Sequence, residues 1–252
     1  METPVLVERH GAIAVVTLNR PGRRNGVTIQ MCEQLFEKLR ELASEPASVI
    51  VLKGTGNDFS VGADLGGSRE GTGFPTLAQL GPVYHATSLL HTMPQVTIAE
   101  IDGGCAGAAL GWACACDFRF ASERAKFSTA FLKLGISGDM GLAWSLSRIV
   151  GGARARELLF FPDKIDAQQA LGFGLVTRLF GRESLHERVM ALANELAGRS
   201  PFALRMMKAN FVSAEMLNIQ EFIEIESARH MHAMTSSVFA TEPAASNPAR
   251  KQ

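Results

Sequence analysis

Short apolar runs alternate with segments of helical periodicity through most of the chain. Apolar runs rich in β-branched residues predict buried strands, and apolar residues that recur every three to four positions predict covering helices. The strands are predicted at Ala12–Leu18, Ser48–Lys53, Val96–Ile101, Asp117–Ala121 and Leu175–Leu179. The helices are predicted from Thr28 to Pro46 and at Leu77–His91, Met140–Val150, Ala153–Phe160 and Ala167–Gly172. This alternation favours an α/β domain with helices covering sheets.

The pattern is helical throughout from Arg182 onward. Three apolar stripes in this region carry more apolar surface than isolated helices can bury. We therefore divide the chain into a core, residues 1–195, and a C-terminal helical region, residues 196–252. The helices of this region either cap their own core or pack against other copies of the chain.

Two segments carry few residues that could form a packed core. The polar, glycine-rich segment Gly66–Pro75 is expected to be mobile. The segment Thr241–Gln252, with two prolines and small residues, is expected to be a disordered tail. The first of these and the helix Leu77–His91 are expected to shape a ligand pocket.

Composition limits the classes of partner. The 252 residues are 46% hydrophobic and 20% charged, which is typical of a globular protein. The 25 Lys and Arg residues balance the 25 Asp and Glu residues, so no long-range field favours nucleic acid or an anionic membrane as a partner. A leader-like N-terminus and an apolar run of ~18 residues are both missing, so we expect a cytoplasmic protein with no membrane segment.

The residues that often bind metals are poorly placed to do so. The four cysteines lie in apolar sequence, which favours buried thiols over disulfides or metal ligands. His230 and His232 are two positions apart on a predicted helix and therefore face different ways. We predict no metal site.

Two glycine-rich turns follow predicted strands and are candidates for chemistry. The first, GTGNDFSVGADL, spans residues 54–65, and the second, IDGGCAGAALGWACACD, spans residues 101–117. Turns with few Cβ atoms let backbone N–H groups approach a bound group, and the first amides of a helix have no intrahelical acceptor. Two such turns can present N–H groups to one oxygen and stabilise an oxyanion. Alternatively, the second turn needs small residues only for close helix packing.

The spacing F-S-V-G-A-D followed by D-G-x-x-x-G-A-A resembles the crotonase family, the enoyl-CoA hydratase/isomerase superfamily. The resemblance extends through FSTAFLKLGISGD and the helical tail. It implies a ββα spiral core with a C-terminal helical part that packs in a homotrimer or a dimer of trimers. It also implies an acyl-CoA substrate, with coenzyme A as part of the substrate and no separate cofactor. The backbone N–H groups of Val61 and Ala108 are implied to hold the thioester oxygen.

Further residues near these motifs are implied to contact the substrate. They are Arg24, Ala63, Asp64, Trp112 and Phe131. A structural role, as a helix cap or an acceptor of local amides, is the preferred interpretation of Asp64. The arginines at positions 20, 23 and 24 either reach the phosphates of CoA or form a solvated turn, and the sequence favours neither.

The departures from the family pattern decide the expected reaction. Hydratases of this family carry two glutamates that handle water and protons, and here those positions are Gly111 and Phe131. Neither side chain can transfer a proton, so the two-glutamate addition of water is not expected. Asp139 stands where dienoyl-CoA isomerases and phenylacetate-pathway epoxide isomerases of the family place a catalytic aspartate. From the residues alone an N-cap that accepts the amide of residue 141 or 142 is preferred, whereas the resemblance favours catalysis.

We therefore expect an enoyl-CoA isomerase with Asp139 as its single acid/base. Apolar neighbours, namely Trp112, Phe131 and Trp144, predict a raised pKa for this carboxyl group. A carboxylate that takes a proton from one carbon and returns it to another is sufficient for a double-bond shift. The alternatives that stay open are a hydratase, a hydrolase or dehalogenase that uses Asp139, and a non-catalytic acyl-CoA-binding subunit.

Overall fold

The computed structural model describes residues 3–64 and 77–235, and of residues 77–83 only the backbone. Both segments predicted to be mobile or disordered, Gly66–Pro75 and Thr241–Gln252, lie outside the described residues. The chain divides into two compact units, Met1–Gly198 and Arg199–Gln252. The oligomerisation role of the C-terminal helices stays a prediction.

The first unit is built from strands and helices that alternate along the chain. Its described strands are β1 (Val5–His10), β2 (Ile13–Leu18), β3 (Val49–Gly54), β4 (Val96–Ile101), β5 (Gly104–Ala106), β6 (Phe118–Ser122), β7 (Lys126–Ser128), β8 (Ile165–Asp166) and β9 (Arg178–Phe180). Its described α-helices are α1 (Ile29–Ala43), α2 (Leu77–Thr92), α3 (Ala108–Ala115), α4 (Leu142–Val150), α5 (Gly152–Phe160), α6 (Ala167–Gly172) and α7 (Leu185–Ala197).

A six-stranded sheet in the order β1-β2-β3-β4-β6-β9 forms the centre of this unit. The first two strands form an antiparallel hairpin, and all other neighbours in the sheet are parallel. A smaller sheet, β5-β7-β8, lies beside it. Because parallel strands end at the same edge, the turns that follow β3 and β4 meet there.

Alternate residues of the central strands enter two separate cores. One face carries Ile13, Val15, Val49, Val51 and Ile98 and packs against Leu185, Val189 and Ala193 of α7. The opposite face carries Ala14, Val16, Ile50, Leu52 and Ala99 and packs with Met31, Leu35 and Leu39 of α1. Burial on both faces explains why these strands are continuous apolar runs in the sequence.

Several predicted boundaries are wrong by one to three residues, among them the following two. The helix predicted from Met140 begins at Leu142, because the preceding Gly141 adopts a left-handed conformation with φ of 62°. The strand predicted at Leu175–Leu179 is β9, Arg178–Phe180. Leu175 is buried, as expected for a strand residue, but it lies before β9 and packs in the core without pairing with a neighbouring strand.

The second unit contains two described helices, α8 (Pro201–Ala214) and α9 (Ile219–Thr235). The side chain of Ser200 caps α8 by accepting the amide of Ala203 at 3.3 Å, and Pro201 occupies its first turn. Several large apolar side chains of this unit are exposed, namely Met207, Phe211, Met216, Ile219, Ile223, Met231 and Met234. None of the helices in the described ranges combines the length and apolar character that crossing a membrane requires.

Candidate active site

Hydrogen bonds between the two glycine-rich turns bring them side by side. The amide of Phe59 donates to the carbonyl of Asp102 at 2.7 Å, and that of Ser60 donates to Gly104 at 2.9 Å. In return the amide of Ala106 donates to the carbonyl of Ser60 at 3.0 Å. Residue 60 therefore extends the small sheet, and the two turns meet as the sequence predicts.

Glycine is required where the turns touch. Gly62 has a φ of 87°, and a Cβ atom there would lie 2.8 Å from the carbonyl oxygen of Ala106. Gly107 has a φ of 51°, and its Cβ atom would lie 3.8 Å from Cα of Gly62. The backbones of the two turns therefore approach each other closely at these two glycines.

The two predicted oxyanion donors differ in their present contacts. Ala108 is the first residue of α3, so its amide has no acceptor within the helix. The amide of Val61 donates to the carbonyl of Arg24 over a long 3.3 Å. An anionic oxygen is a stronger acceptor than a carbonyl, so it can take the place of Arg24 at this donor. The role of these two amides stays a prediction.

A buried asparagine that the sequence analysis did not single out positions the Arg24 carbonyl. The Asn25 side chain is fully buried, accepts the amide of Arg20 at 2.8 Å and donates to the carbonyls of Thr55 at 2.9 Å and Asp58 at 2.8 Å. Asn25 itself has a φ of 54°, in the left-handed region that asparagine tolerates. Its position before Gly26 was the signal that could have identified it.

The three arginines of the loop that contains Arg24 form ion pairs with two carboxylates. Arg20 and Arg23 contact Asp64 at 2.9 and 2.7 Å. Arg24 contacts Asp58 at 2.8 Å, and its hydrogen bond holds the pKa of that carboxyl below its ordinary value. The contacts of Asp64 support the structural interpretation of this residue. The side chain of Arg24 remains 66% exposed, so solvent still reaches its guanidinium.

Asp139 lies in the wall of a cavity of about 770 Å³. Other residues in that wall are Phe131, Leu132, Leu142, Trp144, Leu159 and Phe160. The Oδ1 atom of Asp139 is buried and has no hydrogen-bond partner. Burial raises the pKa of this carboxyl above its ordinary value, as expected for a carboxylate in apolar surroundings.

The N-cap interpretation of Asp139 is wrong. Gly141 occupies the cap position of α4, and no side chain accepts an amide there. Only the backbone carbonyl of Asp139 accepts the amide of Leu142, at 3.1 Å. The carboxylate is therefore left for another partner.

The two positions of the family glutamates are filled by other groups. A Cβ atom on Gly111 would lie 2.5 Å from Cβ and 2.9 Å from the carbonyl oxygen of Met140. Phe131 is only 6% exposed, and its ring lies 3.2 Å from the Cβ position of Gly138 and 3.9 Å from that of Gly107. The ring therefore packs against both the turn that contains Asp139 and the second glycine-rich turn.

Trp112, Trp144 and Ala63, which were predicted to lie near Asp139 or the substrate, differ in their burial. Trp112 has no exposed surface and packs in the core, so its predicted contact with substrate has no structural support. Trp144 is 41% exposed and lies in the cavity wall, and its ring contacts the His91 ring, at 5.0 Å between centroids, and the guanidinium of Arg148, at 3.9 Å. Ala63 is exposed and pairs with Val27.

Two groups near Asp139 were missed from the sequence. Burial, followed by the carboxylate of Asp139, raises the pKa of Cys32 to about 12. The same two causes raise the pKa of Tyr84. Both groups therefore stay protonated at neutral pH. Helical periodicity placed Cys32 on an apolar face, but only the fold shows which helices face Asp139.

The cysteines are free and buried, as predicted. Within the described ranges, no group of three or more His, Cys, Asp or Glu side chains is arranged to hold a metal ion.

Comparisons with known proteins agree with this architecture. The family model "Enoyl-CoA hydratase/isomerase" matches residues 8–242. A probable enoyl-CoA hydratase of Mycobacterium tuberculosis is 36% identical over 173 residues, which cover 68% of each chain. The 1,2-epoxyphenylacetyl-CoA isomerase of Escherichia coli K12 is 30% identical over 222 residues, which cover 85% of this chain and 84% of the relative.

A solved structure shows the same fold. It is that of a candidate enoyl-CoA hydratase of Thermobifida fusca in complex with CoA, with a TM-score of 0.86 and 26% identity over 95% of both chains. The predicted crotonase fold is confirmed by this match. The chain belongs to the enoyl-CoA hydratase/isomerase family, the crotonase superfamily.

Proposed function

We propose that this protein is an enoyl-CoA isomerase that shifts a carbon–carbon double bond in an acyl-CoA thioester. One observation carries the proposal. Among the described residues in the cavity wall, Asp139 has the only carboxyl group, and its buried Oδ1 has no partner. A carboxylate with a raised pKa is suited to take a proton and to return it.

The reaction needs one base and one anion site. The Asp139 carboxylate removes a proton from C2 of a 3-enoyl thioester, and the electrons of that C–H bond form an enolate at the thioester oxygen. The amides of Val61 and Ala108 stabilise the negative oxygen, each to the extent of ~10²–10³ in rate. The protonated Asp139 then delivers its proton to C4, which leaves the double bond between C2 and C3.

The packing around the cavity argues against the two-glutamate addition of water. Met140 fills the volume next to Gly111, and the Phe131 ring fills the second position. The relatives support a CoA thioester as substrate, because one was crystallised with CoA and another is named as an isomerase of an acyl-CoA. The finer assignment to isomerisation rests on Asp139.

The test is turnover of 3-enoyl-CoA and 2-enoyl-CoA in D₂O by the wild type and by Asp139→Asn. We expect the wild type to move the double bond with deuterium uptake, and the variant to be slower by ~10²–10⁴. Asp163→Asn is the matched control, because that carboxylate is 90% exposed and contacts Lys133 at 3.6 Å on the surface. Mass and absorbance of the thioester report the product.

Isomerisation by Asp139→Asn within a few-fold of the wild type would refute the role of this residue. If both proteins bind acyl-CoA but neither moves the double bond nor exchanges protons, isomerisation is wrong. A hydrolase, a dehalogenase or a binding subunit would then be the better description.

A further inference from the structure

A second, smaller cavity adjoins the one that contains Asp139. Its volume is about 290 Å³, and Gly141 and Trp144 belong to the walls of both cavities. Its wall also includes Tyr84, His85, Thr87, Ser88, His91 and Ser145. Carbon atoms form most of its exposed lining. An apolar chamber with a few polar groups is the usual construction of a small-molecule site.

Thr87 is the unusual member of this wall. It is 8% exposed, and its Oγ1 atom is buried without a hydrogen-bond partner. Helical Ser and Thr side chains commonly donate to a carbonyl of the preceding turn. Its neighbours do so, since Ser88 donates to the carbonyl of His85 at 3.0 Å and Thr92 donates to that of Ser88 at 2.8 Å. The hydroxyl of Thr87 therefore has no partner among the described residues, and the wall of the chamber includes this side chain.

The chamber lies next to the reacting carboxylate. The Cγ2 atom of Thr87 lies 3.8 Å from the Cβ position of Gly141, two residues after Asp139. Tyr84, one turn before Thr87 on α2, is close enough to Asp139 for that carboxylate to raise its pKa. An acyl group whose reacting carbons meet Asp139 can therefore extend past Gly141 toward Thr87.

We propose that Thr87 binds an oxygen atom in the distal part of the acyl group, so that the preferred thioester is an oxygenated acyl-CoA. A hydroxyl both donates and accepts, and it therefore pairs with a hydroxyl, keto or ring oxygen. This inference rests on the proposed acyl-CoA function for the identity of the ligand. It does not depend on which reaction follows binding.

Binding of saturated thioesters tests the inference apart from the chemistry, because they have no double bond to shift. The dissociation constants of octanoyl-CoA and of its 5-, 6-, 7- and 8-hydroxy derivatives are measured by calorimetry. The proteins are the wild type, Thr87→Val, which removes the hydroxyl at nearly constant volume, and Thr87→Ser, which keeps it. Thr17→Val makes the same chemical change on strand β2 and serves as the control.

We expect the wild type to bind at least one hydroxy derivative ~10-fold more tightly than octanoyl-CoA, since a polar site rejects a ligand that leaves its group unpaired. Thr87→Val should lose this preference, whereas Thr87→Ser and Thr17→Val should keep it. Equal affinity of the wild type for all five thioesters, or a preference that survives in Thr87→Val, would overturn the inference. A preference with this pattern in a protein that isomerises no enoyl-CoA would refute the proposed function and leave the Thr87 site intact.

Discussion

At the scale of single residues, the site depends on which side chains can carry a proton. Asp139 keeps a carboxyl group in apolar surroundings, and the neighbouring Tyr84 and Cys32 hold their protons because burial and that carboxylate raise their pKa values. Gly111 and Phe131 offer no proton at all. Under the proposed function, Asp139 is therefore the one carboxyl acid/base among the described residues of the cavity wall, where a two-glutamate enzyme has two.

The burial of Asp139 should be visible in the stability of the protein. Because its pKa is raised in the folded state, its favourable contribution is present below the unfolded pKa and is lost as the pH rises through the folded pKa. Asp139→Asn should therefore be more stable than the wild type at pH 7 to 8, with a difference that shrinks as the pH falls toward ~4. Urea unfolding at several pH values measures this difference. Asp163→Asn should show no such trend, and an equal pH dependence of Asp139→Asn and the wild type would contradict the prediction.

The contact between Gly111 and Met140 gives a second prediction. Gly111→Ala places a Cβ atom 2.5 Å from that of Met140 and should destabilise the protein by ~1–3 kcal/mol. Displacement of Met140 should also move Asp139 and lower turnover more than binding. Gly172→Ala is the control, because nothing lies within 4 Å of its Cβ position and alanine favours a helix by up to ~1 kcal/mol. The free energy of unfolding is measured with a denaturant. Equal values for the two variants would contradict the prediction, because Met140 would then move away from the new Cβ atom with little loss of stability.

At the scale of elements, the site is made by turns that hydrogen bonds hold together across long sequence separations. Asn25 joins the loop after β2 to the turn after β3, and Ser60 joins that turn to β5. These bonds place the turn that contains Val61 beside β5, which precedes α3. Neither contact can be read from local periodicity.

Removal of the side-chain amide of Asn25 should weaken the contact between the loop after β2 and the turn after β3. Asn25→Gly permits the positive φ, so its effect reports on the side chain and not on backbone strain. Removal of three hydrogen bonds from a fully buried group should lower the free energy of unfolding by ~2–4 kcal/mol. It should also lower activity, because the neighbouring Arg24 carbonyl would move and this carbonyl accepts the amide of Val61. Thermal and urea unfolding, with turnover, provide the measurement. Asn19→Gly, which removes a side-chain amide that donates to the carbonyl of Thr3 at 3.1 Å, should change stability much less.

The parts of this architecture that a sequence can predict are those with a local signal. The strands β2, β3 and β4 were predictable because both of their faces are buried, which makes them continuous apolar runs. The pairing of β5, β7 and β8 was not predicted, because these strands have two or three residues and their partners are distant in the chain. The start of α4 was misplaced because Gly141 adopts a left-handed conformation that the apolar pattern does not reveal.

The residues of the candidate site also differ in whether the sequence could identify them. The glycine turns follow from motifs, whereas the interest of Asp139 and of positions 111 and 131 follows from the resemblance to the family. Thr87 and Asn25 depend on three-dimensional contacts that no spacing encodes. Trp112 was predicted to contact the substrate because it lies in the second glycine-rich turn, and the sequence does not show how deeply an aromatic side chain is buried. In the structure Trp112 is fully buried.

At the scale of the whole molecule, the exposed apolar side chains of the second unit are typical of a surface that binds another protein chain. Contiguous exposed apolar surface usually marks an interaction site, and we expect homotrimers or dimers of trimers. Ile219→Asp combined with Ile223→Asp changes two exposed residues that lie on the same face of α9, one turn apart. Light scattering after gel filtration should show a lower mass for this variant than for the wild type. Gln220→Asp adds a carboxylate beside Ile219 without removing an apolar group and should keep the wild-type mass; a monomeric wild type would refute the expectation.

The close contact between Gly111 and Met140 also constrains how this protein can change in evolution. A glutamate at position 111 would need the volume that the backbone and Cβ atom of Met140 now occupy. A lineage that acquired the glutamate first would pass through a poorly folded intermediate, and one that first moved the Met140 turn would displace Asp139. We therefore expect that a functional glutamate at position 111 requires coordinated substitutions in α3 and in the turn before α4.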